Sequence, residues 1–352
     1  MTPSAVFEAK SEQSDTDISR TEPRGITHPR RVREGGGKPS VAHPPVFLVG
    51  SERSGTTLLR LMLDHHPELA FQYESEYMVE YVGDNGELPD PQEVVGRLST
   101  DRIFLSTGFS SDVSGGYLDM VNDWLVQKRQ KDNKPMVGAT IHKHFDRLPY
   151  LWPEAKYIHL IRDGRDVSRS CVAMGWYGNT YAACDHWVQA LREWETLCET
   201  VPADQRLEVR YEDLIVDPEA TLTRICEFLE VPFSGAIFDY VDRSTYSTPD
   251  SKLVYQWVSK LTGRELNILE GKIGPTLTRS GYLLSGGPTV TLSDREVKRM
   301  YKRDTRGRRL FRLKRFGLRV VLLDYLSRRF GLERLQERIR LGMNDIETSH
   351  LK

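Results

Sequence analysis

The chain has 352 residues, of which 39% are hydrophobic and 28% are charged. This composition is typical of a globular protein with a buried core and excludes a fibrous or largely disordered one. Four cysteines in so long a chain, with no CxxC pair, do not build a disulfide framework and favour a reducing, cytoplasmic setting. The amino terminus lacks the pattern of a signal peptide, and no apolar stretch reaches the roughly 18 residues of a membrane span.

The formal net charge of −1 hides an uneven distribution of charge along the chain. From Lys298 to Arg340 the sequence contains sixteen lysines and arginines against four acidic residues, a local excess of twelve positive charges. The rest of the chain therefore carries a net charge of about −13. A strongly basic carboxyl-terminal region thus follows an acidic body.

Three regions differ in composition and predict the domain organisation. Residues 1–43 mix small, polar and charged side chains with almost no aromatic ones, and we expect them to be flexible. Residues 44–290 contain most of the apolar runs and are predicted to fold as one domain. Residues 291–352 are predicted to form a basic helical extension, because apolar residues within 295–341 recur at helical spacing. These apolar residues are Leu310, Leu313, Phe316, Val320, Leu323, Leu326 and Phe330.

Short apolar runs alternate with segments of helical spacing along the predicted domain. The strand and helix pairs are 45–50 with 55–66, 156–161 with 163–174, and 206–211 with a helix that begins at Asp217 and Pro218. This alternation predicts an α/β fold, with a parallel sheet flanked by helices on both faces. Residues 90–140 look mostly helical, and we expect them to cap one end of the sheet and shape an acceptor pocket.

A glycine-rich loop, GSERSGTT from Gly50 to Thr57, lies between the first strand and the first helix. In such a turn the backbone N–H groups and the helix N-terminus converge on an anion, so the loop predicts a phosphate site. Its spacing equals that of the nucleotide-binding P-loop GxxxxGK[ST], but Thr56 stands where the lysine belongs. The loop is therefore poorly equipped for a triphosphate with its metal ion.

The segment RSGTTLLR from Arg53 to Arg60, with HPE from His66, resembles the 5′-phosphosulfate loop and first helix of sulfotransferases that use 3′-phosphoadenosine 5′-phosphosulfate (PAPS). The tyrosylprotein branch and bacterial members are closest in motif. The family's second signature is an arginine after a strand and a serine eight residues later. Arg162 and Ser170 reproduce it after the run YIHLI. The resemblance covers about residues 44–285 and implies a P-loop-like fold.

The resemblance also implies which residues bind the donor. These are Arg53, Ser54, Gly55, Thr56 and Thr57 for the 5′-phosphosulfate, Arg162 and Ser170 for the 3′-phosphate, and Tyr211 at the end of the third predicted strand. An arginine at the end of a strand can bind a phosphate bidentately, which agrees with this assignment. One match is missing, because the tyrosylprotein enzymes have a further arginine where this chain has Met174.

Two segments offer candidates for the catalytic groups. Glu74 matches the catalytic glutamate of the tyrosylprotein enzymes, and Glu76 would share its face if the segment were a strand. The run IHKH resembles the Lys-x-His segment of the cytosolic branch, so Lys143 is assigned to the leaving oxygen and His142 is the alternative base. Transfer to a hydroxyl needs such a base near the acceptor proton.

The predicted function is in-line transfer of a sulfuryl group from PAPS to a hydroxyl acceptor, with a general base and no metal ion. The expected acceptor is a small molecule, carbohydrate or lipid with a free hydroxyl. A P-loop nucleotide or small-molecule kinase is the rival enzyme, and a non-catalytic nucleotide-binding module is the alternative without chemistry.

The basic tail allows three interpretations. It packs on the core with a solvated cationic face, or it attaches the protein to the surface of an anionic membrane. Binding of nucleic acid is the third and weakest interpretation, because no aromatic stacking platform accompanies the charges. The expected location is the cytoplasm, including its membrane surface.

Overall fold

The computed structural model describes residues 43–350 of the chain. The predicted flexible segment, apart from its last residue, lies outside the described residues. At the centre is a five-stranded sheet with the strand order β2-β3-β1-β4-β5, and all four pairings are parallel. The strands are β1 (Val46–Val49), β2 (Leu69–Gln72), β3 (Met136–Ile141), β4 (Lys156–Ile161) and β5 (Arg206–Arg210).

Helices join the strands and extend beyond the last one. Between β1 and β4 they are α1 (Thr56–His65), α2 (Pro91–Leu98), α3 (Arg102–Thr107), α4 (Tyr117–Asp132) and α5 (Leu148–Leu151). After β4 come α6 (Gly164–Ala173), α7 (Thr180–Thr200), α8 (Tyr211–Val216), α9 (Pro218–Leu229) and α10 (Tyr240–Arg243). The chain continues with α11 (Trp257–Lys260), α12 (Gly263–Arg279), α13 (Asp294–Arg329) and α14 (Glu333–His350).

The sheet is covered on both faces, which confirms the predicted α/β fold with helices on either side. Successive side chains of a strand point to opposite faces. Phe47 and Val49 of β1 accordingly pack in a cluster with α4, α5 and α7, whereas Val46 and Leu48 pack in a second cluster with α1, α8 and α9. Because both faces are buried, β1 is apolar throughout, as parallel strands generally are.

The predicted strand and helix pairs are confirmed to within a few residues. The apolar side of α1, including Leu59 and Met62, is buried as expected. Asp217 caps α9 by accepting a hydrogen bond from Ala220 N, with Pro218 at the first helical position. The third predicted strand ends one residue early, because Tyr211 already begins α8.

Residues 90–140 are mostly helical, as predicted, but the prediction missed a strand at the end of this stretch. This stretch contains α2, α3 and α4, but Met136–Ile141 is the strand β3, which pairs with both β1 and β2. Its run MVGATI interrupts the β-branched residues Val137, Thr140 and Ile141 with Gly138 and Ala139, two residue types that are depleted in strands. Gly138 explains part of this composition, since an added Cβ would lie 2.3 Å from the ring of Phe71 and 2.6 Å from the carbonyl oxygen of Val46.

The basic tail is helical, as predicted, but its apolar residues do not form one buried side. Gly317 has φ of 78° and ψ of 157°, which breaks α13 into two parts with different orientations. The apolar spacing therefore does not continue across the break, and Leu310 and Phe330 are 67% and 66% exposed.

The first part of α13 packs on the domain. Gly178 N donates a 2.7 Å hydrogen bond to Asp304 Oδ1, and a Cβ on Gly307 would lie 2.6 Å from Gly178 Cα. The second part packs on α14, and Asp324 within it accepts hydrogen bonds from Arg312 and Arg328. Among the described residues, none of these helices is long and apolar enough to cross a membrane.

Candidate active site at the carboxyl ends of the strands

Every strand of the sheet ends at the same edge, because all pairings are parallel. The residues that follow the strands are Gly50, Tyr73, His142, Arg162 and Tyr211. The candidate residues come from five separate segments of the sequence, and the topology brings these segments to one edge. In open α/β sheets, ligands bind in the crevice outside this edge.

Three residues of the glycine-rich loop have positive φ angles, and two of them are glycines. Gly50, Arg53 and Gly55 have φ angles of 142°, 71° and 96°, in the region that favours glycine. A Cβ on Gly55 would lie 2.2 Å from Cδ2 of Tyr211, so the aromatic ring packs directly against the loop. The first turn of α1 has no side-chain cap, which leaves its amides available to an anion.

Arg162 is buried between this loop and the segment 251–253. Its guanidinium donates to the carbonyl oxygens of Arg53 (3.2 Å) and Leu253 (2.8 Å), and it lies 4.1 Å from the centre of the Tyr211 ring. Its Nε is buried and has no hydrogen-bond partner among the described residues. A buried donor without a partner is costly, and an anionic ligand would satisfy it.

The two donor motifs touch each other. Arg53 Nε donates a 3.0 Å hydrogen bond to Ser170 Oγ, across 117 residues of sequence. The guanidinium of Arg53 also lies 5.8 Å from the ring of Trp176, which is 41% exposed. A cation, a hydroxyl and an exposed aromatic ring therefore surround one opening, the arrangement expected of a site for a nucleotide phosphate and base.

His142 is buried and has partners at both ring nitrogens. Nδ1 lies 2.7 Å from Glu76 Oε1, and Nε2 lies 2.9 Å from Thr56 Oγ1. The same Glu76 oxygen accepts a 2.9 Å hydrogen bond from the backbone N–H of His142. Burial alone would lower the pKa of His142, but the neighbouring Glu76 reverses this and raises the pKa above its ordinary value.

Glu74 is half-buried and lies next to this cluster. The strand β2 ends at Gln72 and Glu76 begins a short 3₁₀ turn, so the expectation that Glu74 and Glu76 share a strand face is wrong. Glu74 has no hydrogen bond within the described part of the chain, and its negative charge contributes to the raised pKa of His142. Burial lowers the pKa of the nearby Arg60, an effect that Asp64 and Glu74 partly offset.

Lys143 does not point freely into the opening. Its Nζ lies 2.9 Å from Glu52 Oε1, and the other oxygen of Glu52 contacts His186. Burial alone would raise the pKa of Glu52, but the close contact with His186 and the surrounding cations hold it well below its usual range. Glu52 thus connects the loop to the end of β3 and to α7.

Sequence reasoning missed several groups of the site. Glu52 is inside the loop motif, but nothing in the sequence indicates that it pairs with Lys143 and His186. The partnership of Glu76 with His142 spans 66 residues, and the carbonyl of Leu253 comes from a segment with no motif. A signal existed only for Trp176, an aromatic residue shortly after the second donor motif.

Comparisons with known proteins agree with this geometry. The model of the sulfotransferase family matches residues 44–235. Protein-tyrosine sulfotransferase A of Caenorhabditis elegans is 30% identical over 208 residues, which cover 56% of this chain and 52% of the relative. Protein-tyrosine sulfotransferase 1 of Danio rerio is 25% identical over 268 residues, which cover 68% of this chain and 72% of the relative. The chain thus spans about half the length of the nematode protein.

A solved structure supports the fold. The sulfotransferase domain of the Synechococcus PCC 7002 olefin synthase superposes with a TM-score of 0.51 at 24% identity, covering 71% of this chain and 100% of that domain. The family match extends over more than half of the chain and includes β1 to β5 with both donor motifs. The chain therefore belongs to the sulfotransferase family.

Proposed function

We propose that this protein transfers the sulfuryl group of PAPS to a hydroxyl acceptor by in-line displacement with a general base and without a metal ion. The observation that carries the proposal is the contact between the two donor motifs, Arg53 Nε to Ser170 Oγ at 3.0 Å, beside the unsatisfied Nε of Arg162. Family membership of the domain supports the same reaction.

The residues present fit a bisphosphorylated nucleotide. The amides of Gly55, Thr56 and Thr57 and the hydroxyl of Ser54 would receive the 5′-phosphosulfate at the start of α1. Arg162 and Ser170 would hold the 3′-phosphate, and Tyr211 would fix the guanidinium of Arg162 by stacking on it. PAPS supplies an activated sulfuryl group, and these residues orient its sulfur toward the acceptor.

Glu74 is the better candidate for the base. It has no hydrogen bond among the described residues and is partly exposed, so its carboxylate is free to accept the acceptor's proton. His142 is buried and both of its ring nitrogens have partners, an arrangement that suits a positioning role. The reaction is then written with the proton passing from the acceptor hydroxyl to Glu74 as the oxygen attacks sulfur.

Lys143 would stabilise the charge that develops on the leaving phosphate oxygen. In the structure its ammonium is paired with Glu52, at 2.9 Å, and the side chain is 53% exposed. The long lysine side chain can leave this pair when a more strongly charged group enters the crevice. Glu52 then remains bound to His186, so the loop keeps its attachment to α7.

Several classes of hydroxyl acceptor fit the proposed reaction. The expectation from the sequence was a small molecule, carbohydrate or lipid with a hydroxyl group. The relatives are named protein-tyrosine sulfotransferases, which adds a phenolic hydroxyl on a protein to the candidates. All of these share an O–H group whose proton a carboxylate base can accept as the bond to sulfur forms.

Incubation of the purified full chain with ³⁵S-labelled PAPS and an extract of its own host tests the proposal. We expect label in a new product and a gain of SO₃ by mass spectrometry, unaffected by EDTA. Arg162→Ala should weaken binding of PAPS and of its product, adenosine 3′,5′-bisphosphate, by about 10- to 100-fold, because a hydrogen bond to a charged group is worth about 1.5–3 kcal/mol. Turnover that needs Mg²⁺ and uses ATP would instead indicate a kinase.

A further inference from the structure

The first unexplained feature is the buried chain of contacts from Glu76 through His142 to Thr56. An ionised carboxylate only accepts hydrogen bonds, so Nδ1 of His142 carries a proton that it donates to Glu76. The state of Nε2 then decides the direction of the bond to Thr56. On a neutral ring Nε2 accepts the hydroxyl proton of Thr56, whereas on a charged ring Nε2–H donates to Thr56 Oγ1.

We propose that Glu76 and His142 are positioning residues that orient the hydroxyl of Thr56 toward the donor's 5′-phosphosulfate. When His142 is charged, its Nε2–H occupies a lone pair of Thr56 Oγ1, and the hydroxyl proton is free to point at the anion. When His142 loses its proton, the hydroxyl turns back to Nε2 and the anion loses a donor. The proposal deepens the proposed function, since it assumes that the loop binds this donor.

The charges around the histidine favour its charged form. Glu76 bonds to it directly, and Glu52 and Glu74 lie near it, so three carboxylates surround the buried ring. Lys143 is the next residue, and its ammonium is paired with Glu52. Burial opposes these groups, but the pKa of His142 is raised overall. Donor affinity should therefore be highest below this raised pKa and should fall as pH rises through it.

Calorimetric titration of the full chain with adenosine 3′,5′-bisphosphate tests this assignment. The pH range is about 7 to 9, where phosphates with a second pKa near 6 are already fully ionised. For the unchanged protein we expect the affinity to fall as pH rises. Thr56→Val should bind at least about tenfold more weakly at the lower pH and show little pH dependence. Thr56→Ser keeps the hydroxyl and should behave like the unchanged protein.

The possible outcomes separate the two proposals. If the bisphosphate binds but Thr56→Val matches the unchanged protein in affinity and pH dependence, the positioning role of His142 is wrong and the donor site stands. If neither the unchanged protein nor Thr56→Ser binds the bisphosphate, the proposed function itself fails. Circular dichroism at each pH shows whether Thr56→Val is folded, and Glu76→Gln offers a second variant in which the pH dependence should shift to lower pH.

The second unexplained feature is an exposed apolar stripe on the second part of α13. Leu318, Leu322 and Tyr325 are 71%, 51% and 57% exposed. They are spaced four and seven residues apart, so they lie on one side of the helix, and Arg329 continues this line. A solvated helix surface normally carries polar residues there, and contiguous exposed apolar side chains mark an interaction surface.

Among residues 312–332, the exposed charges that accompany this stripe are all positive. The sequence from 312 to 332 contains one acidic residue, Asp324, which is buried and accepts hydrogen bonds from Arg312 and Arg328. Arg319 and Arg329 are exposed at the border and the end of the stripe. A symmetric pair of two copies would bring both sets of arginines to one interface without acidic partners, which opposes self-association through this side.

We infer that this stripe docks on a membrane surface that contains anionic lipids. The three apolar side chains would enter the boundary between headgroups and acyl chains, and the arginines would meet the lipid phosphates. Such attachment depends on both contributions, because burial of three side chains or a few charges alone gives weak binding. It would hold the domain beside the bilayer through the second part of α13.

Sedimentation of the full chain with vesicles tests the surface. We expect binding to vesicles of phosphatidylcholine with about 30% phosphatidylglycerol, loss of binding in about 0.5 M salt, where charges are screened beyond a few ångströms, and little binding to phosphatidylcholine alone. The double change Leu318→Ser and Leu322→Ser should reduce binding at least about tenfold. Val258→Ser is the matched control, since Val258 is 67% exposed outside the tail.

Two results would overturn this inference. One is equal vesicle binding by the double variant and the Val258 control, which would mean that the stripe is not used. The other is a dimer of the unchanged protein in light scattering that the double variant loses, which would assign the stripe to a second copy. Donor binding by all variants serves as the check that the domain is folded.

Discussion

The proposed donor site and the basic tail are both rich in arginine, but the arginines are buried in one region and exposed in the other. At the donor site Arg165 is 1% exposed, is paired with Asp163 and Glu270, and lies 3.6 Å from the centre of the Trp257 ring. In the tail Arg308 is 50% exposed and has one carboxylate partner, Asp304. The same side chain is thus a buried structural connector in one region and a solvated charge in the other.

The difference shows what each kind of arginine can do. A buried guanidinium with several partners fixes the segments around it, and Arg165 holds α6, α12 and the carbonyl of Leu283 together at the edge of the sheet. An exposed guanidinium adds little to stability but keeps its charge available to a partner. The geometry of the donor site therefore depends on individual residues, whereas the attraction of the tail for a partner depends on the sum of its charges.

The largest effect is expected from Glu74, the one candidate for a catalytic group whose side chain lacks a polar partner in the described part of the chain. Glu74→Gln keeps the shape and removes the basic carboxylate, so turnover should fall by about 10² to 10⁴. Affinity for adenosine 3′,5′-bisphosphate should change little, because the donor contacts lie elsewhere. Steady-state kinetics and calorimetry measure the two quantities. Near-normal turnover of Glu74→Gln, with His142→Ala inactive but still able to bind the donor, would assign the base to the histidine.

Removal of the buried Arg165 side chain should lower the free energy of unfolding. Arg165→Ala leaves Asp163 and Glu270 buried without their cation, which typically lowers the free energy of unfolding by about 3–5 kcal/mol. Urea denaturation of the full chain measures this loss. A loss below about 1 kcal/mol would show that the network is solvated in solution and does not hold the edge of the sheet.

The smallest effect is expected from the matched arginine of the tail. Arg308→Ala removes a half-exposed partner of Asp304, which keeps its hydrogen bond from Gly178 N. The free energy of unfolding should therefore change by at most about 1 kcal/mol in the same urea experiment. A loss of unfolding free energy as large as that of Arg165→Ala would mean that the exposed arginine stabilises the fold as much as the buried one.

The sequence predicts best where the signal is local. The apolar run before Gly50, the loop glycines and the cap at Asp217 each determine a short segment through nearby residues, and these elements were placed correctly. β3 was missed because Gly138 and Ala139 weaken its strand signal, and Gly138 is explained only by its neighbours in the folded sheet. Gly317 also has no local signal that distinguishes a break from a tolerated helical glycine.

The candidate site shows the same difference between residues with a local sequence signal and contacts that only the folded structure explains. Arg53, Arg162 and Ser170 were predicted as donor-binding residues through two motifs, and the structure brings these three residues together. The pairings of Glu52 with Lys143 and of Glu76 with His142 depend on the register of three strands and the loops after them. Such contacts are set by tertiary structure, so no single segment carries their signal.

The strand order has a consequence for the synthesis of the chain. Val46 of β1 pairs with Gly138 of β3 and Lys156 of β4, so the first strand made is flanked by two that are made much later. At roughly 5–20 residues per second, ribosomes need about five seconds or more to make the intervening chain. Until then the apolar run of β1 has no partner strand, and closing such distant pairings is slow. The nascent chain therefore passes through an interval in which chaperones have access to the strand that precedes the loop.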